Sequence, residues 1–151
     1  MAYTDPLLAM SDALYDALAL DSTLSTLAAG GVHFDVPQDP SFPLVYLRVQ
    51  HDRTFSGYNA QPGRKSRPGI FLRVHVFQSD YGTIREAQQV MSRIVDLLWN
   101  DADPLTANGY EVFCGRPLPE VEELTFEDEE LRGIKVKELV LQTSYILEEL
   151  V

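Results

Sequence analysis

Gly63-Arg64-Lys65-Ser66 is the string in this chain whose residue types come nearest to chemistry on a phosphate. A phosphate-binding loop needs GxxxxGK[ST] between a strand and a helix, because backbone amides and a helix N-terminus hold the anion. Here Arg64 stands where the glycine before the lysine belongs, and a strand pattern follows instead of a helix. The string is not a nucleotide site. His33, His51 and His75 fall on or beside strand patterns, without an HxH, HExxH or His–carboxylate spacing that would gather them on a metal. His75 sits opposite the apolar side of its strand, which predicts an exposed or interfacial imidazole. Cys114 is the sole cysteine, which excludes an intramolecular disulfide and a cysteine-based zinc site. With no histidine near it in sequence, it reads as a buried, inert thiol.

Two charged clusters remain. Glu120, Glu122 and Glu123, followed by Glu127, Asp128, Glu129 and Glu130, bring enough carboxylates for calcium or for acid–base work. Calcium loops need a D-x-D-x-D-G spacing with a sharp glycine turn, which this run lacks. Acid–base pairs need environments that push two pKa values apart, and an exposed run supplies none. The run reads as an acidic rim, facing solvent or a partner. Arg53, Arg64, Lys65 and Arg67, interleaved with Phe55 and Tyr58, form the basic counterpart. Clustered Arg and Lys suffice for contact with phosphate. A pI near 4.5 and the lack of a recognition motif argue against a sequence-specific nucleic-acid binder. Aromatics beside arginines are the residue types that dominate protein interfaces, so these six are candidate contacts to another protein. No nucleophile–base constellation and no cofactor motif is visible, so the reading is a non-enzyme, with a small hydrolase or nuclease as the alternative of a different class.

A chain of 151 residues fits one domain with a sizeable core. Its hydrophobic share of 45% and charged share of 23% are those of a folded globular protein rather than a disordered one. No stretch reaches the ~18 apolar residues of a membrane span, and the start MAYTDPLLAMSD lacks the basic region of a secretion signal. The expectation is a soluble protein made in the cytoplasm, with no membrane partner. The net charge of −11 is unevenly spread. Residues 1–47 carry six Asp and no Lys or Arg, residues 48–93 carry eight basic and three acidic groups, and residues 94–151 carry four and fourteen. Such asymmetry bears on assembly, because unlike surfaces of neighbouring copies attract.

The elements that must position these groups follow from periodicity. Asp5 or Thr4 can cap a first helix with Pro6 in its first turn, and Leu7, Met10, Leu14 and Leu18 recur on one stripe. Asp21 or Ser22 interrupts, Leu24 and Leu27 continue as a second short turn, and Gly30-Gly31 supplies the positive φ that stops a helix. Strands are expected at Val32–Val36 and Leu44–Gln50, the second alternating Val45, Leu47 and Val49 with Tyr46, Arg48 and Gln50. Arg53–Pro68 breaks every periodicity and reads as a protruding loop. Ile70–Gln78 alternates again and is the expected antiparallel partner of Leu44–Gln50.

Thr83–Asn100 is the clearest helix, with Ile84, Ala87, Met91, Ile94, Val95 and Leu98 facing inward. Gly109–Phe113 and Leu118–Leu124 read as one strand interrupted near Gly115-Arg116-Pro117, Phe126–Gly133 as a turn or loop, and Ile134–Glu149 as a long strand lying inside the sheet. The order predicts an α+β fold, a single domain over 1–151, with helices packed on one face of a mostly antiparallel sheet.

Two runs carry a family likeness: ALYDALALDSTLSTLAAGGVHFDVPQDPSFPLVYLRV, Ala13–Val49, and LRVHVFQSDYGTIREAQQVMSRIVDLL, Leu72–Leu98. On these the chain resembles the tail-completion, or tail-terminator, proteins of long-tailed (siphovirus-type) bacteriophages, over about Leu7 to Glu148. The resemblance implies a structural virion protein that closes the tail tube as a ring of six copies and forms the joint to the head connector. Its implied partners are other copies of itself, the tail tube protein and the head–tail connector or stopper, with non-specific proximity to DNA in the lumen. Its implied place is the head-proximal end of the tail, after assembly in the host cytoplasm. A connector or stopper, or a tube subunit, is the neighbouring alternative. No cofactor is implied.

Overall fold

The computed structural model describes residues 5–51, 68–79, 83–99, 105–114, 120–128 and 134–149. Helix α1, Pro6–Ala19, starts as its sequence dictates: the Asp5 carboxylate accepts from the Leu7 amide at 3.1 Å, and Pro6 takes the first helical position. It buries Ala9, Met10, Leu14 and Leu18. Asp21 caps α2, Ser22–Leu27, by accepting from the Leu24 amide at 2.8 Å. Helix α3, Ile84–Leu98, buries Ala87, Val90, Met91, Ile94 and Leu98. Val90 joins the expected stripe, while Ile84 and Val95 pack against the core only in part.

The seven strands are β1 Val32–His33, β2 Leu44–His51, β3 Gly69–Ser79, β4 Thr106–Ala107, β5 Tyr110–Cys114, β6 Glu120–Asp128 and β7 Ile134–Glu149. They form one sheet in the order β1-β2-β3-β7-β5-β4, with β6 also on β7. Strand β7 is its axis. One edge of β7 carries β3 from Val136 to Ile146, and the other carries β6 along Ile134–Gln142 and then β5 along Tyr145–Glu149. Strands β5 and β6 thus run end to end on the same edge, as a single interrupted strand would. All pairings are antiparallel except β1 with β2. This is the α+β fold expected, with the helices on one face.

Three local expectations are corrected. The first strand is two residues long and pairs parallel to β2, because the chain leaves the sheet after His33 into the proline-rich stretch. Phe126–Asp128 continues β6 rather than forming a loop; among the described residues β6 pairs on one side only, and an edge strand tolerates charge. Strand β4 is additional, joined to β5 by Asn108-Gly109, where Gly109 has φ 85°.

The glycine pair ties α2 to the sheet. Gly31 has φ 80°, and its carbonyl accepts from the Val45 amide at 2.9 Å. Gly30 is required for space rather than for φ. A Cβ there would lie 1.9 Å from the Ser41 carbonyl oxygen, a backbone atom that cannot step aside.

The main core lies between the helices and one sheet face: Val45 and Leu47 of β2, Ile70, Leu72, Val74 and Val76 of β3, and Leu139, Leu141, Tyr145 and Leu147 of β7. Burying each such side chain stabilises the fold by roughly 1.5–3 kcal/mol. Asp21 adds a polar tie: Arg93 of α3 donates to both its carboxylate oxygens, at 2.9 and 2.7 Å.

Candidate protein interface on the helix-free face

Because side chains alternate along a strand, the residues between those of the core line the other face of the sheet. Register arranges them in rows. Leu44, Phe77 and Glu138 share one row, Tyr46, His75 and Val140 the next, Arg48, Arg73 and Gln142 the third, and Gln50, Phe71 and Ser144 the fourth. Beyond these, Ile146 pairs with Phe113 and Glu148 with Glu111.

The first two rows are buried except for Tyr46, which is half-buried. Leu44, Phe77 and Val136 form a small second core, covered by Val36 and Phe42 from the stretch between β1 and β2. His75 is buried there too, which corrects the expectation of an exposed imidazole. Its ring lies parallel to Phe77 at 5.7 Å and beside Tyr46 at 5.4 Å, and its Nδ1 is hydrogen-bonded to the Glu138 carboxylate. Glu138 itself is enclosed. A carboxylate can remain at this depth because the imidazole answers it.

The remaining rows are open. Arg48 is exposed and Arg73 half-buried, directly opposite each other. The Arg73 Nε is enclosed without a hydrogen-bond partner among the described residues. Like charges facing one another across strands are destabilising, by amounts comparable to the roughly 0.2–1 kcal/mol that opposite charges gain. Phe71 and Ile146 are half-buried beside this pair, and Phe113 is 45% exposed. Beyond them Glu111 and Glu148 repeat the juxtaposition with the opposite sign.

Elsewhere one ion pair ties α3 to the cap of α2, between Arg93 and Asp21. The Arg93 hydrogen bond holds the Asp21 carboxyl below its ordinary range, against the opposing effect of burial, and raises the pKa of Arg93 in turn. A hollow of about 300 Å³ opens between α1, α2 and β1, lined in part by Tyr15, Ser25 and His33. The His33 Nε2 is 2.6 Å from the Gly30 carbonyl oxygen, so its ring is engaged by the backbone. Among the described residues no cluster of three or more His, Cys, Asp or Glu could hold a metal.

Of the residues singled out in sequence, Arg53, Phe55, Tyr58, Arg64, Lys65, Arg67, Glu129 and Glu130 lie outside the described residues. Glu120, Glu122, Glu123, Glu127 and Asp128 are distributed along the edge strand β6. The paired arginines, the buried His75–Glu138 contact and the Glu111–Glu148 pair were not singled out. Alternation shows each residue's side of its strand, but only register shows which residues face each other.

Residues 12–113, from α1 to β5, match the model of the family described as tail completion protein gp17. The chain belongs to that family. Both runs that carried the likeness lie inside the match. The fold is shared over more than the matched residues: a chain from the virion of a native gene transfer agent (GTA) particle superimposes with a TM-score of 0.66 at 16% identity, over 96% of this chain and 99% of that one. No curated protein sequence matches. As a tail completion protein, the chain is a structural component of a phage tail, and hence of a virion.

Proposed function

We propose that this tail completion protein closes the head-proximal end of a phage tail tube as a ring of copies and forms the joint to the head connector. It acts by contact, without catalysis. The carrying observation is the family match over residues 12–113, and with it the open half of the helix-free face, where Arg48 and Arg73 face each other across strands and Phe113 is exposed. A closed ring needs unlike surfaces on each copy, meeting head to tail. In this reading the partners are neighbouring copies, the tube protein and the connector or stopper, met after assembly in the host cytoplasm. Arg53, Phe55, Tyr58, Arg64, Lys65 and Arg67 are then contacts to an adjoining ring, near lumenal DNA, and the carboxylates of Glu120–Glu130 form an outer acidic rim. The chain would constitute one domain throughout.

The test is assembly in the absence of this protein. Cells infected by phage lacking it should accumulate filled heads and separate tails, and added protein should join them. Normal tailed particles would refute the reading.

A further inference from the structure

Helix α1 shows solvent a face that is both acidic and apolar. Asp5, Leu8, Asp12, Tyr15 and Asp16 follow one another at helical spacing on one stripe, and all five are exposed. No Lys or Arg occurs in residues 1–47 to neutralise that stripe locally. Of the large hydrophobic side chains exposed among the described residues, three belong to this side of the molecule: Leu8 at 57%, Tyr15 at 42% and Leu20, at the end of the helix, at 77%. The fourth is Phe113, on the opposite face of the sheet. There the charge is of the other sign. Arg48 is exposed and faces the half-buried Arg73, and neither has an opposite charge paired to it among the described residues. Glu120 of β6 ends the same row beyond Gln142, so the row holds two cations to one carboxylate. The row of Phe113 lies four residues of β7 further on, about 13 Å. Leu8 to Leu20 spans about 18 Å at the rise of a helix, so the two surfaces match in length.

We infer that neighbouring copies meet with the α1 stripe of one against the open half of the helix-free face of the next, Asp12 and Asp16 on the Arg48–Arg73 pair and the exposed apolar side chains against one another. The inference rests on the ring reading and deepens it by naming the two surfaces that meet. Because α1 packs on the core face of the sheet, the sheet stands between these surfaces in each copy, and no chain can bring its own together. The contact is therefore between unlike surfaces, head to tail, as a closed ring needs. Opposite charge steers the surfaces and fixes their register, while the apolar side chains leaving water add affinity. A second copy is preferred to nucleic acid because the α1 stripe carries only carboxylates, which repel phosphate, and because both surfaces expose apolar side chains.

The experiment compares the full chain with Asp12→Lys/Asp16→Lys, with Arg48→Glu/Arg73→Glu and with the chain carrying all four changes, by light-scattering mass over a range of concentration. Asp5 is left in place because it caps α1. Far-ultraviolet circular dichroism checks that each variant is folded, and Arg48→Glu alone serves for the sheet side should the double arginine variant unfold. Wild type should associate, each double variant should associate about tenfold more weakly or worse, and the fourfold variant, in which both signs are exchanged, should recover the wild-type mass. A wild-type chain that stays monomeric throughout overturns the self-association beneath the inference. Wild-type and double-variant rings of equal strength overturn the proposed contact and leave the ring standing. A fourfold variant as weak as either double variant overturns the pairing of these two surfaces. Retention of wild type on double-stranded DNA, lost in the arginine variant with ring mass unchanged, overturns it in favour of phosphate.

Discussion

The two ends of the helix-free face are built from the same three strands and finished differently. At one end Leu44, Phe77 and Val136 are closed over by Val36 and Phe42, and the one buried carboxylate, Glu138, is answered by His75. At the other, Arg48 and Arg73 face each other with no opposite charge paired to them among the described residues, and Phe113 is 45% exposed. Where the chain covers Glu138 with its own residues it gives the carboxylate a partner in the His75 Nδ1, while the Nε2 of the same ring is enclosed without one among the described residues. At the open end, like charges stand side by side across strands. A tail protein needs both kinds of surface, one to hold the fold and one to be completed by assembly.

The contrast is broken most severely by truncating a phenylalanine at each end. Phe77→Ala should cost about 3–5 kcal/mol in denaturant unfolding. Phe113→Ala should stay within about 0.5 kcal/mol of wild type when measured on the monomer. Equal losses would mean that the two ends do not differ. A smaller effect belongs to the buried pair: Glu138→Ala strands the imidazole and should cost about 1–3 kcal/mol, part of which Glu138→Gln should recover. Removing one of two facing cations should have the opposite sign. Arg48→Gln is expected to stabilise the monomer by roughly 0.2–1 kcal/mol, read from the unfolding midpoint, while weakening association.

The smallest effect comes from a cation that already has its partner. Asp21→Asn keeps the cap of α2 and removes the ion pair with Arg93. Because the Asp21 carboxyl is held below 3.8 when folded, its contribution is present at neutral pH and is lost as pH falls through that lowered pKa. Thermal melts of wild type and Asp21→Asn should therefore differ slightly at pH 7 and converge only as pH falls through that lowered pKa. A difference that persists in acid would place it outside the ion pair.

Much of the fold was legible because its long elements bury one clear face. Val45, Leu47 and Val49 in β2, and Ala87, Met91 and Ile94 in α3, repeat at the period of their own structure. Strand β7 was legible from apolar residues on both sides. What was missed depends on neighbours rather than on period. The acidic end of β6 reads as a loop until its place at a sheet edge is known. His75 reads as exposed because alternation says which side it takes, not that Tyr46 and Phe77 enclose it. The Arg48–Arg73 juxtaposition depends on register between strands separated by residues 52–68, which composition does not fix.

Electron cryo-microscopy of the head–tail junction in the assembled particle tests the central claim most directly. A closed ring of this chain should cap the tube at that junction. A junction at which this chain forms no closed ring on the tube would contradict it.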